Sequence, residues 1–316
     1  MRDNRIIRSR HLHKLQRRHF IFFDVLPFLG TLVALGLLLY RPIGAVAISL
    51  FFSMWLLTGL GLTVGYHRLF THRAFSTGVV TSCAFIIMGS MAARGPMLSW
   101  VAMHRRHHEL SDHEGDLHSP NLHGTTPLGR LLGFLHAHLT WMIEHDYPNV
   151  AHYVPDLMAQ RTLVAVNRHC HAWVLLGLLA PAVIGGAVTG TWWGAFSGFL
   201  WGGIVRMFVV EQSMSAINSV MHRFGARRFE IRDDNSRNLG VIALLAWGEG
   251  WHNNHHAFPY SAAFGLRWFE VDPGFLLIRL LEALGLAWNV KVPSREKIAL
   301  RLARQETHEA LDLEHG

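Results

Sequence analysis

The segment "IGAVAISLFFSMWLLTGLGLTVGY" (residues 43–66) carries no charged side chain. A helix of about 20 apolar residues is long enough to cross the hydrocarbon core of a bilayer. Residues 20–40, 172–190 and 192–218 have a similar character, although Asp24 lies in the first of them and Arg206 and Glu211 interrupt the last. Half of the 316 residues are hydrophobic. The sequence therefore predicts an all-α integral membrane protein with four transmembrane helices.

The basic residues indicate how these helices are oriented. Residues 1–19 hold seven Arg or Lys directly before the first apolar segment. Such a cluster remains on the cytoplasmic side of a membrane, so the N-terminus is expected in the cytoplasm. A cleaved signal peptide is disfavoured because the apolar run is too long and a second one follows almost at once. The same placement disfavours nucleic acid as a partner, although Arg and Lys outnumber Asp and Glu by 29 to 22.

The connections between apolar segments predict two hairpins. Residues 40–42 join the first pair and residues 190–191 join the second, so each hairpin returns the chain to the cytoplasm. Residues 67–171 and 219–290 then form a cytoplasmic helical cap rich in His, and the whole membrane domain covers residues 20–290. Residues 291–316 form a charged tail, expected to be a solvated helix. Residues 77–100 are apolar enough to cross as well, although "RGP" (94–96) breaks their end.

Nine of the 23 histidines fall into four spaced groups. Two triads have the spacing HxxHH, and positions i, i+3 and i+4 lie on one face of a helix. A HxxxxH pair follows the second apolar segment, and a further His lies four positions after Asn218. The five-residue step of the pair corresponds to about 140° on an ideal helix, so its members converge only if the helix ends or bends between them. The nine are His67, His72, His104, His107, His108, His222, His252, His255 and His256.

This donor set indicates a metal centre. Imidazole suits iron, zinc, copper or nickel, and nine imidazoles exceed the four ligands of a tetrahedral zinc site. They suit two metal ions in one histidine cage, which points to redox chemistry. Asp112, Asp116 and Glu249 are candidates for orienting the ligand imidazoles. The remaining histidines, among them His118 and the "HCH" run at 169–171, are expected to be peripheral, and the two Cys offer no disulfide framework.

Several stretches resemble the membrane fatty-acyl desaturases of the stearoyl-CoA Δ9 type, particularly bacterial members, over roughly residues 20–290. They are "GYHRLFTHRAF", "HRRHHELSDHEGDLHSP", "NSVMHRFGARRFE" and "GEGWHNNHHAFPY". The resemblance implies two irons held by the nine histidines above, with Asn218 reaching one metal through water. Because all nine must then meet, residues 77–100 cannot make a single crossing and are expected to be interfacial or re-entrant. Met103 departs from animal relatives, which tend to carry Asp there, so substrate details are not transferable from them.

The resemblance also implies a reaction. The expected enzyme uses O2 and two external electrons to insert a cis double bond, with Δ9 favoured, into a saturated acyl chain carried as acyl-CoA or in a phospholipid. A carrier protein is also open. The sequence has no GxGxxG fingerprint and no cysteine cluster, so a ferredoxin, rubredoxin or cytochrome-like donor with its reductase is expected. Arg223, Arg227, Arg228 and Arg237 could attract such a donor or anionic lipid. The expected location is a bacterial inner membrane, with both termini and the active site cytoplasmic.

Two other functions remain open at this point. A membrane hydroxylase or ketolase acting on a lipid would share the iron cage but would insert oxygen into its product. A His-rich metal transporter would place polar ligands inside the spans to form a path. Here the clustered histidines lie beyond the apolar runs, which disfavours the transporter.

Overall fold

A computed structural model describes residues 4–303 and residue 305 of the chain, and these residues are mostly helical. Within them, four helices are long and apolar enough to cross a membrane. This finding confirms the predicted number. The four spanning helices, numbered in chain order, are Arg10–Leu37, Ala45–Thr71, Cys170–Thr189 and Trp192–Ser219.

The first two spanning helices differ from their predicted bounds. The first begins at Arg10 rather than at residue 20, because the basic residues before the apolar run continue the same helix through a widened π turn at Ile21–Val25. The second extends beyond residue 66 to Thr71, and its last part, Gly61–Thr71, is π-helical. This extension carries the chain from the apolar span directly into the histidine region.

The fourth spanning helix packs closely against the other three through small residues. Gly198 and Gly202 lie against Pro181 of the third helix and Leu50 of the second, and a Cβ at Gly30 of the first would overlap Ile204. Small residues let helix backbones approach closely where no hydrophobic force drives association in lipid. The fourth helix is therefore the element around which the other three are arranged.

The charges that interrupt the fourth apolar segment have internal partners. The fully buried Arg206 guanidinium donates to the carbonyl oxygens of Met91, Gly177 and Gly202 at 2.8–3.1 Å. Glu211 forms a buried ion pair with Arg94. Ionisable groups at membrane depth are tolerated when they face the protein interior and are paired in this way.

Shorter helices and two small sheets complete the described chain. The helix Val79–Ser90 has 12 residues and is too short to cross. The remaining helices are Met97–Leu110, Pro127–His138, Thr140–Met142 (3-10), Val150–Tyr153, Pro155–Met158, Arg161–Arg168, Gly240–Leu245, His252–Ala257, Pro273–Ala283 and residues 295–303. The antiparallel strand pairs are Ile6–Ile7 with Tyr147–Pro148 and Ser76–Thr77 with Ala287–Trp288. The rest of the charged tail, residues 304 and 306–316, and residues 1–3 of the basic N-terminus lie outside the described residues.

The largest buried cluster joins the second spanning helix to these shorter elements. Leu62, Tyr66 and Phe70 of that helix pack with Ile86 and Val101 from the next two helices. This core fixes the end of the second spanning helix against Met97–Leu110, and it therefore sets the relative position of the HxxxxH pair and the first HxxHH triad.

Candidate metal centre

All nine sequence-predicted histidines converge in the structure, and they form two groups. In each group the candidate ligand nitrogens lie within 4.8 Å of one another among the residues the structure describes. The first group has five members, His67, His72, His104, His108 and His255, and the second has four, His107, His222, His252 and His256. Each HxxHH triad contributes to both groups, with its i and i+4 members in one and its i+3 member in the other.

In the first group, four Nε2 atoms form a closed ring of short contacts. The sides measure 2.8 Å from His67 to His104, 3.1 Å from His104 to His108, 3.0 Å from His108 to His255 and 3.0 Å from His255 back to His67. An imidazole nitrogen holds either one proton or one lone pair in the ring plane. Each Nε2 can therefore make one of its two contacts as a hydrogen bond but not both.

A metal ion bound by all four nitrogens would account for these distances. Imidazole nitrogens bind divalent metals such as zinc at about 2.0–2.1 Å, so two ligands at 90° lie about 3.0 Å apart and two tetrahedral ligands about 3.4 Å apart. The observed sides match the 90° arrangement. With His72 as a fifth nitrogen, the group suits a metal of higher coordination number than tetrahedral zinc.

Carboxylates fix which nitrogen of four histidines faces the metal. The Nδ1 atoms of His67 and His256 lie 2.6 Å from Glu249 and Asp234, and those of His107 and His222 lie 3.0 Å from Asp116 and Asp112. A carboxylate accepts hydrogen bonds, so it favours a proton on each Nδ1 and leaves Nε2 as the ring nitrogen available to bind a metal. Three of these acids were candidates from the sequence. Asp234 was missed because it lies on a loop with no regular spacing to either triad.

The charge states of these groups favour metal binding. Burial is the largest single influence and would raise the pKa of Asp112, Asp116, Asp234 and Glu249, but hydrogen bonds and charge attraction, chiefly from the imidazole partners, together outweigh burial and lower each pKa below its usual value. Burial, followed by repulsion from neighbouring imidazoles, holds the pKa of His104, His108, His252 and His255 well below the usual value. The acids are therefore ionised and these imidazoles neutral, as ligands must be.

The HxxxxH pair converges because the second spanning helix ends in π turns. The amide of His72 donates to the carbonyl of His67 at 3.1 Å, which is the five-residue step of a π-helix. As expected, the helix ends between the two histidines, at Thr71. A π turn, rather than a bend, aligns the two imidazole rings. The guanidinium of Arg105 then donates to the carbonyls of Phe70 and Thr71 and ties this end to the first triad.

The two Asn residues of "WHNNHH" anchor the second triad. Asn253 accepts from the amides of Arg228 and Phe229 at 2.8 Å, and Asn254 donates to the Glu270 carboxylate at 2.8 Å. These two side chains bind other parts of the protein rather than joining the two histidine groups. They hold the six-residue helix His252–Ala257 so that its three histidines face the site.

Of the histidines outside the nine, His118 lies elsewhere than the sequence suggested, whereas His169 and His171 are peripheral as expected. His118, expected to be peripheral, is buried with its ring 4.4 Å from that of His107, and it forms a third possible ligand cluster with His107 and Asp116. His169 and His171 are exposed and belong to none of these clusters. Asn218 is half-buried and lines the cavity described next.

A cavity of about 630 Å³ lies against the first histidine group. His67, His104 and Glu249 form part of its wall, and residues of the first spanning helix between Leu12 and Asp24 also line it. Met103, which departs from the animal pattern, also lines it. Its other apolar walls include Phe22, Phe23, Leu62, Trp100, Met214 and Ile217. A cavity of this size can enclose much of a small or medium-sized ligand.

Comparison with known proteins agrees with this arrangement. The fatty acid desaturase family profile matches residues 42–289. The chain is 47% identical over 297 residues, 93% of this chain and 92% of the relative, to the hex-5-enoyl-[acyl-carrier protein] acetylenase of Moorena producens. It is 35% identical to the sn-1 stearoyl-lipid 9-desaturase of Anabaena variabilis, with 77% of this chain and 83% of the relative covered. The sn-2 palmitoyl-lipid 9-desaturase of Nostoc is 33% identical, with 83% and 88% covered. The chain belongs to the fatty acid desaturase family.

Proposed function

We propose that the protein is an O2-dependent di-iron desaturase that inserts a cis double bond into a saturated acyl chain. The observation that carries this proposal is the closed ring of four Nε2 atoms beside a second group of four histidines. An apolar-walled cavity reaches the same histidines. Together the histidines would hold a pair of redox-active metal ions, and the cavity would place a hydrocarbon chain next to them.

The proposed ligand roles follow the two groups. His67, His72, His104, His108 and His255 would hold one iron, and His107, His222, His252 and His256 would hold the other. Asn218 would reach a metal through water from the cavity wall. Asp112, Asp116, Asp234 and Glu249 would fix the tautomers and ring orientations of their partner histidines.

The reaction requires a cofactor because an unactivated methylene has no proton that a side-chain base could remove. When bound, the iron pair would supply the reduction of O2 and the oxidation of two C–H bonds. In balance, an acyl –CH2–CH2– unit, O2, two electrons and two protons give –CH=CH– and two waters. The chain's own part is to enclose the acyl chain between Trp100, Ile217 and the first spanning helix, and to keep bulk water from the reacting carbons.

The finer parts of the proposal concern substrate and topology. Relatives named as 9-desaturases support Δ9 as the first position to assay. Acyl-CoA, phospholipid and acyl-carrier protein are the substrate forms to compare. We also propose that the four helices cross a bacterial inner membrane as two hairpins, with the histidine region and both termini in the cytoplasm. The cluster of basic residues before the first span supports this orientation.

Each turnover needs two electrons, and we propose a separate ferredoxin, rubredoxin or cytochrome-like donor with its reductase. Arg223, Arg227 and Arg237 use part of their hydrogen-bonding capacity on carbonyls of Pro120, Ile231 and Gly225. Arg227 is also paired with Glu230 at 3.0 Å, so Arg223 and Arg237 are the stronger candidates to attract an acidic donor. Loss of donor-dependent rate on reversing these charges, with iron content unchanged, would support docking there, whereas an unchanged rate would favour contact with anionic lipid.

A second candidate function is formation of a triple bond from an existing double bond. The specific observation in its favour is the 47% identity to a protein named as an acetylenase. The same site could carry out either oxidation, because both remove two hydrogens from adjacent carbons.

Product analysis tests both candidate functions against the hydroxylase and ketolase alternatives. Purified protein with iron, O2, donor and reductase is supplied with saturated or mono-unsaturated acyl chains on each carrier. A desaturase product loses two hydrogens from the saturated chain, an acetylenase product loses two from the unsaturated chain, and a hydroxylase or ketolase product gains oxygen. Products that contain added oxygen, with or without hydrogen loss, and no new carbon–carbon multiple bond would overturn the proposal.

A further inference from the structure

The cavity beside the histidines reaches the outer surface of the protein at the first spanning helix. Most of the described residues that line the cavity are buried or half-buried, and the exposed ones are Leu15, Arg18, Phe22 and His171. Leu15 and Phe22 keep 44% and 58% of their surface exposed, although both also line the cavity. A side chain that is exposed and also lines a cavity lies at the edge of an opening. These four residues therefore define the mouth of the cavity.

The mouth lies between two spanning helices. Leu15, Arg18 and Phe22 are spaced i, i+3 and i+7, so they form one stripe along the first spanning helix. His171 is the second residue of the third spanning helix, Cys170–Thr189. His19, which also lines the cavity, is within electrostatic range of His171, so the two helices are close to each other at this point. The cavity therefore opens between the first and the third spanning helix.

The level of the mouth coincides with the ends of two apolar runs. These runs begin at residues 20 and 172, so Phe22 lies just inside the first run, whereas Arg18 and His171 lie just before the two runs. At the boundary between the hydrocarbon core and the polar layer of a bilayer, basic side chains contact lipid headgroups. In the proposed orientation, the mouth faces the layer that holds the phosphates and ester groups of membrane lipids.

The neighbouring part of the cavity wall is closed by paired side chains. The Gln16 amide donates to the carbonyl of His145 at 3.1 Å and accepts from the backbone amide of His145 at 3.3 Å, and both residues line the cavity. Arg17 and Glu144, the exposed neighbours of these two residues in the chain, form an ion pair. A substrate that entered here would have to break these contacts. Across the mouth, by contrast, no hydrogen bond or ion pair links Arg18 to His171 in the described part of the chain.

From this geometry we propose that the acyl chain enters sideways from the bilayer while it is still attached to a membrane phospholipid. This inference rests on the proposed desaturase function and on the proposed membrane orientation. The phosphate would stay at the mouth, where the Arg18 guanidinium would bind it, and the acyl chain would pass Phe22 and Phe23 to reach His67 and His104. CoA and acyl-carrier protein are water-soluble and would not approach through a face that contacts lipid. The substrate class is therefore a phospholipid-bound acyl chain.

The first test measures binding without turnover. Protein in phospholipid vesicles is mixed with a phosphatidylglycerol whose acyl chain carries a diazirine, and the peptides crosslinked on illumination are identified by mass spectrometry. We expect crosslinks to residues of the cavity wall such as Trp100 and Met103. Arg18→Glu should reduce crosslinking about five- to 30-fold, because it replaces attraction to the lipid phosphate by repulsion. Lys14→Glu is the matched control and should behave as wild type, because Lys14 is exposed on the same helix but does not line the cavity.

A blocking variant tests the route itself. Phe22→Cys is made in a chain that carries Cys83→Ala and Cys170→Ala, and it is labelled with a bulky maleimide. Ile21→Cys in the same background is the matched control, because Ile21 is 50% exposed but does not line the cavity. We expect the labelled Phe22→Cys variant to lose both crosslinking and turnover of the phospholipid. Its unlabelled form and the labelled Ile21→Cys variant should keep both.

Two results would overturn the proposed route. One is unchanged crosslinking in the labelled Phe22→Cys variant. The other is turnover of acyl-CoA or acyl-carrier protein that exceeds turnover of the phospholipid and persists after labelling. The crosslinking readout also separates the route from the proposed reaction. Lipid that crosslinks in the cavity and is blocked by the label, but gives no product with donor and O2, would support the route and contradict the proposed reaction.

Discussion

Replacing Asp234 by Asn should weaken metal retention by the second histidine group. The Asp234 carboxylate lies 2.6 Å from Nδ1 of His256, and it also accepts from Ser111 Oγ at 2.7 Å. Asn keeps an oxygen that can accept from Nδ1, so ring orientation survives, but the negative charge that makes Nε2 a stronger ligand is lost. Loss of a carboxylate behind a metal-bound histidine typically costs 10- to 100-fold in metal affinity or activity, or about 1.4–2.7 kcal/mol.

The assay is chelator competition on purified, iron-loaded protein, with the iron remaining per chain measured against chelator concentration. Asp233→Asn is the matched control because it makes the same charge change one residue away, where the carboxylate is largely exposed and 3.9 Å from His113. We expect Asp233→Asn to behave as wild type and Asp234→Asn to lose iron at about 10- to 100-fold lower chelator concentration. Equal retention in the two variants would refute the assigned role of Asp234.

Further predictions follow from the same geometry. His255→Ala should abolish turnover and remove metal from the five-histidine group while membrane insertion is retained. Replacement of the exposed His169 by Ala should change turnover by less than about twofold. Comparable losses of turnover in both variants would contradict the assignment of His255 as a ligand and His169 as peripheral. Elemental analysis of protein from iron-replete cells should give about two metals per chain. Activity should be proportional to the iron content, because an all-imidazole site does not by itself exclude inactive zinc. Active protein that contains only zinc would disprove the redox mechanism. Sustained turnover should require an added or co-purifying electron donor, measured as product formed per enzyme with and without donor and reductase, and multiple turnovers without any donor would contradict this expectation.

The sequence determined the elements that depend on local composition. Residues 43–66 are recognisable as a span because hydrocarbon thickness sets a minimum length of apolar helix. The two HxxHH triads were recognisable because three residues on one helical face can bind metal together. The ends of the helices were predicted less well. The first helix starts at Arg10, because the basic segment before the apolar run is part of the same helix. Composition alone did not decide whether the segment that contains Val79–Ser90 crosses the membrane. That prediction needed the additional argument that all nine histidines must meet.

The tertiary structure decided how the nine histidines are divided between the two groups. The sequence gives each triad one face, but His107 joins His222 and His252 while His104 and His108 join His67, because the histidines of other segments that lie near each triad position decide the grouping. No local spacing relates Asp234 to His256, or Trp247 to Gly59, since those contacts depend on how a loop folds back onto a helix. Local periodicity records which way a side chain points along its own helix, whereas the partner it meets is set by the packing of segments far apart in the chain.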